Sequence, residues 1–309
     1  MPAQFKLSVV MSVYNNSDQL EKTIDSILKQ TYVDFELIII NDGSTDNSQQ
    51  ILQTIAANDS RVKLFHRSNQ GLTNALIFGC KQATTGYIAR HDAGDCSSPD
   101  RFAKQLGYLE TNHDCAVVFS QFRSVDESGH IIHKFRPTEN AFQSSINITN
   151  NDISAPSHHG SAMFSKAHYL RAGGYRQQFH FAQDLDLWMR MREHGKIHLI
   201  EELLYDALIA TNTISGKYHP LQKQYHDIII ESAQLRREGK SDTSALAMAE
   251  KIRPTTNALK LSNNASGTLY FMASCLIDKN PLLAKGYLKQ ALRKNPAHLK
   301  AWYKLLFKT

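Results

Sequence analysis

Cysteine is scarce. Four occur in 309 residues, Cys80, Cys96, Cys115 and Cys275, and none forms a C-x-x-C pair. A disulfide framework and a zinc ribbon are therefore excluded, and a reducing cytosol is the natural home. Long apolar runs are also missing. The longest, such as Leu37–Ile40, are strand-sized, so no membrane span is expected. Met1 to Lys6 carries one basic residue and no apolar run, which does not describe a signal peptide. Neither sign of charge dominates: 35 Lys and Arg face 29 Asp and Glu, a net charge of +6. So small a surplus is poor support for nucleic acid. It suits phosphorylated ligands or an anionic membrane surface equally well, so peripheral membrane association stays open. No G-x-G-x-x-G follows the first apolar run, which argues against a dinucleotide-dependent dehydrogenase.

What is present is globular. Apolar residues make up 42% and charged residues 21%, which excludes disorder, collagen and coiled coil as global descriptions. The length suits one α/β domain with a smaller appendage. Leu7–Val13, Phe35–Ile40, Val62–His66 and Tyr87–Arg90 read as strands. Asp18–Lys29, Ser48–Ala57 and Gly71–Ala83 carry apolar residues at helical spacing. This alternation predicts a mostly parallel sheet with helices on both faces. A helix from Pro99 to Glu110, a strand over Cys115–Ser120 and a hairpin around Asp126–Gly129 follow. Residues 136–157 are polar and poorly patterned, the character of a functional lid or a disordered loop. Later elements are Ala162–Phe164, Lys166–Ala172, Asp184–His194 and a strand over Ile197–Ile200. From about residue 217 the chain reads as helices, ending with Pro281–Lys294 and His298–Lys308. Ala284, Tyr287, Leu288, Ala291, Leu292 and Trp302 resemble half of a tetratricopeptide repeat, and a plain helical cap fits them equally well. The expected domains are 1–216 and 217–309.

Ligands in open α/β sheets bind beyond the carboxyl ends of the strands. Polar clusters at 12–16, 41–46 and 91–95 each follow a strand, so they should converge on one rim. Here the residues resemble a known family. Val9-Val10-Met11-Ser12-Val13-Tyr14-Asn15, Ser26-Ile27-Leu28-Lys29-Gln30-Thr31-Tyr32 and Phe35 through Asp46 are similar to the opening of a family 2 glycosyltransferase. The similarity continues through Asn69-Gln70-Gly71-Leu72, Ala89 through Asp95, and Pro99-Asp100-Arg101 with Gln105. It resumes at Gly173-Gly174-Tyr175 and Ala182 through Trp188. It covers about residues 5–225.

The resemblance implies a Rossmann-like GT-A domain that inverts at the sugar's C1 and uses a nucleotide-diphosphate sugar. The chemistry suits the residue types. A leaving diphosphate is stabilised by a hard cation, and Mg²⁺ or Mn²⁺ favours carboxylate oxygens such as those of Asp92 and Asp95. The acceptor hydroxyl needs a base within hydrogen-bond reach, and the resemblance puts Asp184 there, at a helix start that should favour the anion. It also implies that Ser12, Tyr14 and Asp42 bind the nucleotide sugar, Asp42 by reading the base and Tyr14 by stacking. Asp92 and Arg90 are expected in the same nucleotide-sugar site, Arg90 open between balancing the phosphate and balancing the Asp cluster. Read alone, Asn41-Asp42-Gly43 is a tight turn and Asp184 an N-cap. Arg101 is expected in a structural ion pair, and Asp186 and Trp188 in helix and core. His158 and His159 stay open between a structural place and an approach to the diphosphate or metal.

The sequence departs from the family's pattern at three positions. Gly94 stands at an inner acidic position of D-x-D, which leaves Asp92-x-x-Asp95. Gln183 replaces a common Glu before the base, and Ile77 replaces a common Asn. The implied acceptor is a saccharide or lipid-linked saccharide, with no nucleic acid. The implied setting is the assembly of surface polysaccharide or another glycoconjugate, in the cytoplasm or at the inner membrane face. The competing reading is a non-catalytic nucleotide-sugar-binding scaffold of the same fold.

Overall fold

The computed structural model describes residues 5–145, 157–211, 214–252 and 265–309, without the side chains of 144, 145 and 214–223. The expected alternation is found: β1 (Leu7–Val13), α1 (Ser17–Leu28), β2 (Phe35–Asp42), α2 (Ser48–Asn58), β3 (Val62–Arg67), α3 (Leu72–Gln82) and β4 (Tyr87–Asp92). β1 pairs in parallel with β2 and with β4, and β2 with β3. β1 and β2 are buried along almost their whole length, which is why their sequences are mostly apolar, whereas β3, at the sheet edge, is only partly covered. Val10, Ile38, Ile40 and Ile88 enter one core cluster. Their neighbours Val9, Met11, Leu37, Ile39 and Ala89 enter another.

Beyond β4 the direction of pairing changes. The elements are β5 (Cys96–Ser97), α4 (Arg101–Thr111), β6 (Cys115–Val125), β7 (Ile131–Phe135), α5 (Glu139–Ser145), β8 (Met163–Ser165), α6 (Lys166–Arg171), α7 (Gln183–Arg192) and β9 (Lys196–Leu208). The sheet order is β3-β2-β1-β4-β8-β6-β9-β5, with β7 beside β6. β8 is antiparallel to both β4 and β6, and β5 to β9. The parallel half thus follows the expectation, and the later half is mixed. The fold is α/β with C-terminal helices.

Part of the segment expected to be a lid or loop is helical. In α5, Phe142 is buried and the Gln143 side chain donates to the Ile197 carbonyl at 2.5 Å. The remainder of that segment, 146–156, lies outside the described residues.

The helices that follow are α8 (Ile214–Arg237), α9 (Thr243–Lys251), α10 (Ala265–Leu276), α11 (Pro281–Lys294) and α12 (Leu299–Phe307). Two compact units interleave in the sequence. One comprises 1–122, 136–207 and 225–251, and the other 123–135, 208–224 and 252–309. The second has its own core, in which Ile132 of β7 joins Leu269 and Met272 of α10, Leu288 and Ala291 of α11 and Ala301 of α12. Asn280 caps α11 by accepting from Leu283 N–H at 3.1 Å, with Pro281 at the first helical position.

Candidate active site

The parallel register brings the expected rim together. Ser12 of β1 lies beside Ile40 of β2 and Asp92 of β4, all near the carboxyl ends of their strands. The loops after β1 and β2 are tied to each other. Thr45 N–H donates to Asn15 Oδ1 at 2.7 Å, and Asn15 N–H donates to Ser44 Oγ at 3.1 Å. The Tyr14 side chain stands exposed at this edge. Asp42 is buried, and its two oxygens accept from the backbone N–H groups of Gln70 (3.1 Å) and Gly71 (2.8 Å). It therefore orders the start of α3, a partnership that its type and position in the sequence did not disclose.

The turn after β4 explains Gly94. Asp95 N–H closes a four-residue turn onto the Asp92 carbonyl at 3.2 Å, and Gly94 at its third position has φ +102. Side chains rarely adopt that conformation. Gly94 N–H also donates to Thr23 Oγ1 at 3.0 Å. The acidic residue missing at 94 is thus excluded by backbone geometry, and the turn delivers Asp95 instead. Ligand atoms of Asp92, Asp95 and His158 all lie within 4.8 Å of one another. His158 Nδ1 is 3.6 Å from Asp95 and 3.9 Å from Asp92.

A built shell holds this cluster. The fully buried Arg90 guanidinium bonds Asp92, and donates to the carbonyls of His91 and, at 3.3 Å, Val10. Burial would raise the Asp92 carboxyl, but the Arg90 charge holds it well below the usual range. Arg101 is not in an ion pair with these acids, contrary to expectation. It donates to Ser97 Oγ (3.0 Å), Gln105 Oε1 (2.9 Å) and the carbonyls of Arg90 (2.8 Å) and Ala162 (3.2 Å). Ser97 is 3.0 Å from His91 Nε2, and His91 Nδ1 is 3.0 Å from the Asp92 carbonyl. Burial pushes His91 down to about 3. The ring is then neutral, and a carbonyl can only accept, so Nδ1 carries the proton and Ser97 donates to Nε2. The chain Arg101–Ser97–His91–Asp92 fixes the backbone at the strand end.

Tyr205 was not anticipated. It lies on β9, a strand that the sequence pattern marks only over Ile197–Ile200, and its hydroxyl donates to Asp95 at 2.7 Å while accepting from Asp92 N–H at 3.1 Å. Burial and the charges of Asp95 and Asp92 push its pKa well up, so it stays protonated. Gly160 permits this approach: a Cβ there would sit 2.0 Å from the Tyr205 hydroxyl and 2.9 Å from Asp92 Oδ2. The two open histidines take different places. His158 faces the acids, whereas His159 is buried with Nε2 2.7 Å from the Tyr175 hydroxyl, and burial keeps it neutral.

Asp184 lies on the first turn of α7, after Ala182, whose φ of +58 is uncommon for a residue with a side chain. Its pKa is raised, by burial first and by the Asp92 charge as well, against lowering by the N–H groups at the helix start and by His158. The helix terminus does not prevail, contrary to the expectation of a favoured anion. Asp186 and Trp188 are structural as expected. Asp186 bonds Arg190 at 2.5 Å, and Trp188 is buried edge-on to Phe119.

Comparison with known proteins identifies the family. Residues 8–171 match the model of Glycosyl transferase family 2. The chain is 34% identical over 208 residues to EpsE of Bacillus subtilis (strain 168), whose name assigns it to the glycosyltransferases. That match covers 65% of this chain and 72% of EpsE. The chain belongs to glycosyltransferase family 2. It is also 26% identical over 233 residues to a hyaluronan synthase of Pasteurella multocida, covering 75% of this chain but only 23% of that larger protein. Among solved structures, S. aureus TarS 1-349 in complex with UDP aligns with a TM-score of 0.56 and 16% identity, over 97% of this chain and 89% of that one. The mannosyltransferase PcManGT of Pyrobaculum calidifontis, in complex with GDP-Man and Mn2+, aligns with a TM-score of 0.57 and 17% identity, over 98% and 87%. These likenesses establish the GT-A-like fold. Among the described residues, no helix is long and apolar enough to cross a membrane.

Proposed function

We propose that this glycosyltransferase moves a sugar from a nucleotide-diphosphate donor to a hydroxyl acceptor with inversion at C1. The observation that carries the reading is the convergence of Asp92, Asp95 and His158 within 4.8 Å, with Asp184 under the influence of Asp92 and His158. Two carboxylates and one imidazole fit Mn²⁺, and the carboxylates alone fit Mg²⁺ with retained waters. Held by these residues, such a cation would supply positive charge to neutralise the leaving diphosphate. Arg90 serves the donor through Asp92, and Tyr205 holds Asp95 in place. Asp42 shapes the Gln70–Gly71 loop beside the nucleotide, Ser12 lines the same edge, and Tyr14 offers a ring for the base.

Asp184 performs the proton transfer. The acceptor oxygen attacks C1 from the face opposite the diphosphate, and its proton passes to the Asp184 carboxylate. The bond from C1 to the phosphate oxygen breaks, and its electron pair leaves with the diphosphate. A raised pKa makes this carboxylate a better base than an ordinary Asp. The synthase names among the relatives support a saccharide acceptor in polymer synthesis, and a lipid-linked acceptor would place the reaction beside a membrane.

The test is release of nucleoside diphosphate across a panel of donors with Mn²⁺ or Mg²⁺. Asp184→Asn should lower turnover by about 10²–10⁴-fold with donor binding kept. Turnover at the native rate in that variant would remove the base assignment.

A further inference from the structure

The inner faces of α10 and α11 are packed, but α12 is turned the other way. In α12 only Ala301 is buried. Leu299, Trp302, Tyr303, Leu306 and Phe307 are exposed at 80%, 43%, 56%, 64% and 71%. They recur at the i, i+3, i+4, i+7 spacing of the stripe that a helix ordinarily turns to its core. Leu282, at the start of α11, is also open. The charge carried by these two helices has one sign. From Pro281 to Thr309 the chain carries Lys285, Lys289, Arg293, Lys294, Lys300, Lys304 and Lys308, and no Asp or Glu.

We propose that this face docks on an anionic lipid bilayer. The apolar stripe enters the boundary between headgroups and acyl chains, and the basic groups meet the lipid phosphates. Interfacial helices combine these features: a broad apolar stripe, lysines beside it, and Trp and Tyr at the water boundary. A weak apolar anchor needs a second, electrostatic signal for stable attachment, and both are present here. At nine residues, α12 is too short to span. The Trp302 indole N–H is already bonded to the Pro296 carbonyl at 2.8 Å, so the ring enters an apolar phase without an orphaned donor. Tyr303 and Phe307 form one aromatic surface, with ring centroids 5.4 Å apart. A second copy of this chain is a poorer occupant, because the same basic segment would face itself.

The two tryptophans make the test direct. Trp188 is fully buried and Trp302 is exposed, so quenching by brominated lipid reports on Trp302. The full chain should bind vesicles that contain phosphatidylglycerol, with quenching and a blue shift. It should not bind phosphatidylcholine alone, and salt should release it. Replacing Lys300→Gln together with Lys308→Gln should weaken binding about 25-fold, roughly fivefold for each charge. Leu306→Gln with Phe307→Gln should abolish the quenching. These side chains are exposed and outside the catalytic cluster, so thermal unfolding and donor turnover should be unchanged.

Absence of binding to anionic vesicles overturns the proposal, as does equal binding to neutral ones. A self-association that Leu306→Gln with Phe307→Gln abolishes, without vesicle binding, assigns the face to a second copy instead. Asp184→Asn should bind vesicles as the native chain does, so this surface and the transfer reaction stand or fall separately.

Discussion

At the scale of single residues, two glycines mark where the cluster is built. Gly94 reads from the sequence as a missing carboxylate, yet its φ of +102 shows why no carboxylate stands there. Restoring the family's acid with Gly94→Asp should therefore harm the site. Forcing a side chain into that region costs about 1–3 kcal/mol. The turn should relax and move Asp95 away from Asp92, so that Tm and donor affinity fall together; a gain in metal or donor affinity would contradict this. Gly160 acts by its size. With a Cβ 2.0 Å from the Tyr205 hydroxyl, Gly160→Ala must displace that ring and loosen both acids it holds. Turnover should fall more than tenfold, with stability lowered by about 1–3 kcal/mol from overpacking. Tyr205→Phe removes the hydroxyl without the clash, so it should lower turnover with a smaller change in Tm. The raised Asp184 pKa belongs to this scale too. Burial and the Asp92 charge raise it above 3.8, so the acidic limb of the pH–rate profile should bend above that value and disappear in Asp184→Asn.

At the scale of elements, legibility followed burial pattern. β1 and β2 are readable because strands covered on both faces become mostly apolar runs between turn clusters, and β3 and β4 because short β-rich stretches alternate with helical spacing. β9 was read too short because Glu201 and Glu202 interrupt it, although Leu204, Tyr205 and Ala207 return to the core beyond them. Tyr205 was lost with that strand end. The placement of α7 rests on contacts between distant segments, which no local pattern discloses. Asp242, just before α9, accepts from Ser232 Oγ (2.7 Å) and Arg236 Nη1 (2.9 Å) on α8 and from Arg176 Nη1 (2.7 Å) in the approach to α7. Arg176 lies 3.8 Å from Asp186, two residues beyond the proposed base. Burial would raise Asp242, but these bonds hold its carboxyl well below the usual range. Its folded pKa thus lies below the unfolded 3.8, so the stabilisation is complete above that value and is lost as pH falls through the folded one. Asp242→Asn should cost about 1.5–3 kcal/mol near neutral pH and flatten the acid limb of the stability curve. Denaturant unfolding at several pH values checks this, and an unchanged acid limb would show that the network contributes nothing.

At the scale of the molecule, the strand-and-loop motifs that identified the family all fall within the first unit, whereas the second is assembled from separated parts of the chain. No pattern in 123–135 announces that Ile132 will be buried with α10 and α11, or that Tyr287 of α11 will bond Asp126. Such pairings are long-range, and a hairpin alone carries no sign of what will cover it. Each unit does have its own core. The two clusters on the faces of the sheet draw only on the first unit, and the third cluster only on the second. A chain ended after Lys251 should therefore keep cooperative unfolding and donor binding, since the sheet, the Asp92–Asp95–His158 cluster and Asp184 lose no core partner. The cost should appear in the hairpin. Ile132 would lose its apolar surroundings and Asp126 the Tyr287 hydroxyl, so amide exchange over 123–135 should accelerate strongly while β1, β2 and β4 stay protected. Exchange mass spectrometry of the two chains, with a donor titration beside it, separates this outcome from its opposite. If protection in β1 and β2 falls as far as in β7, the units fold as one and the cores are not independent.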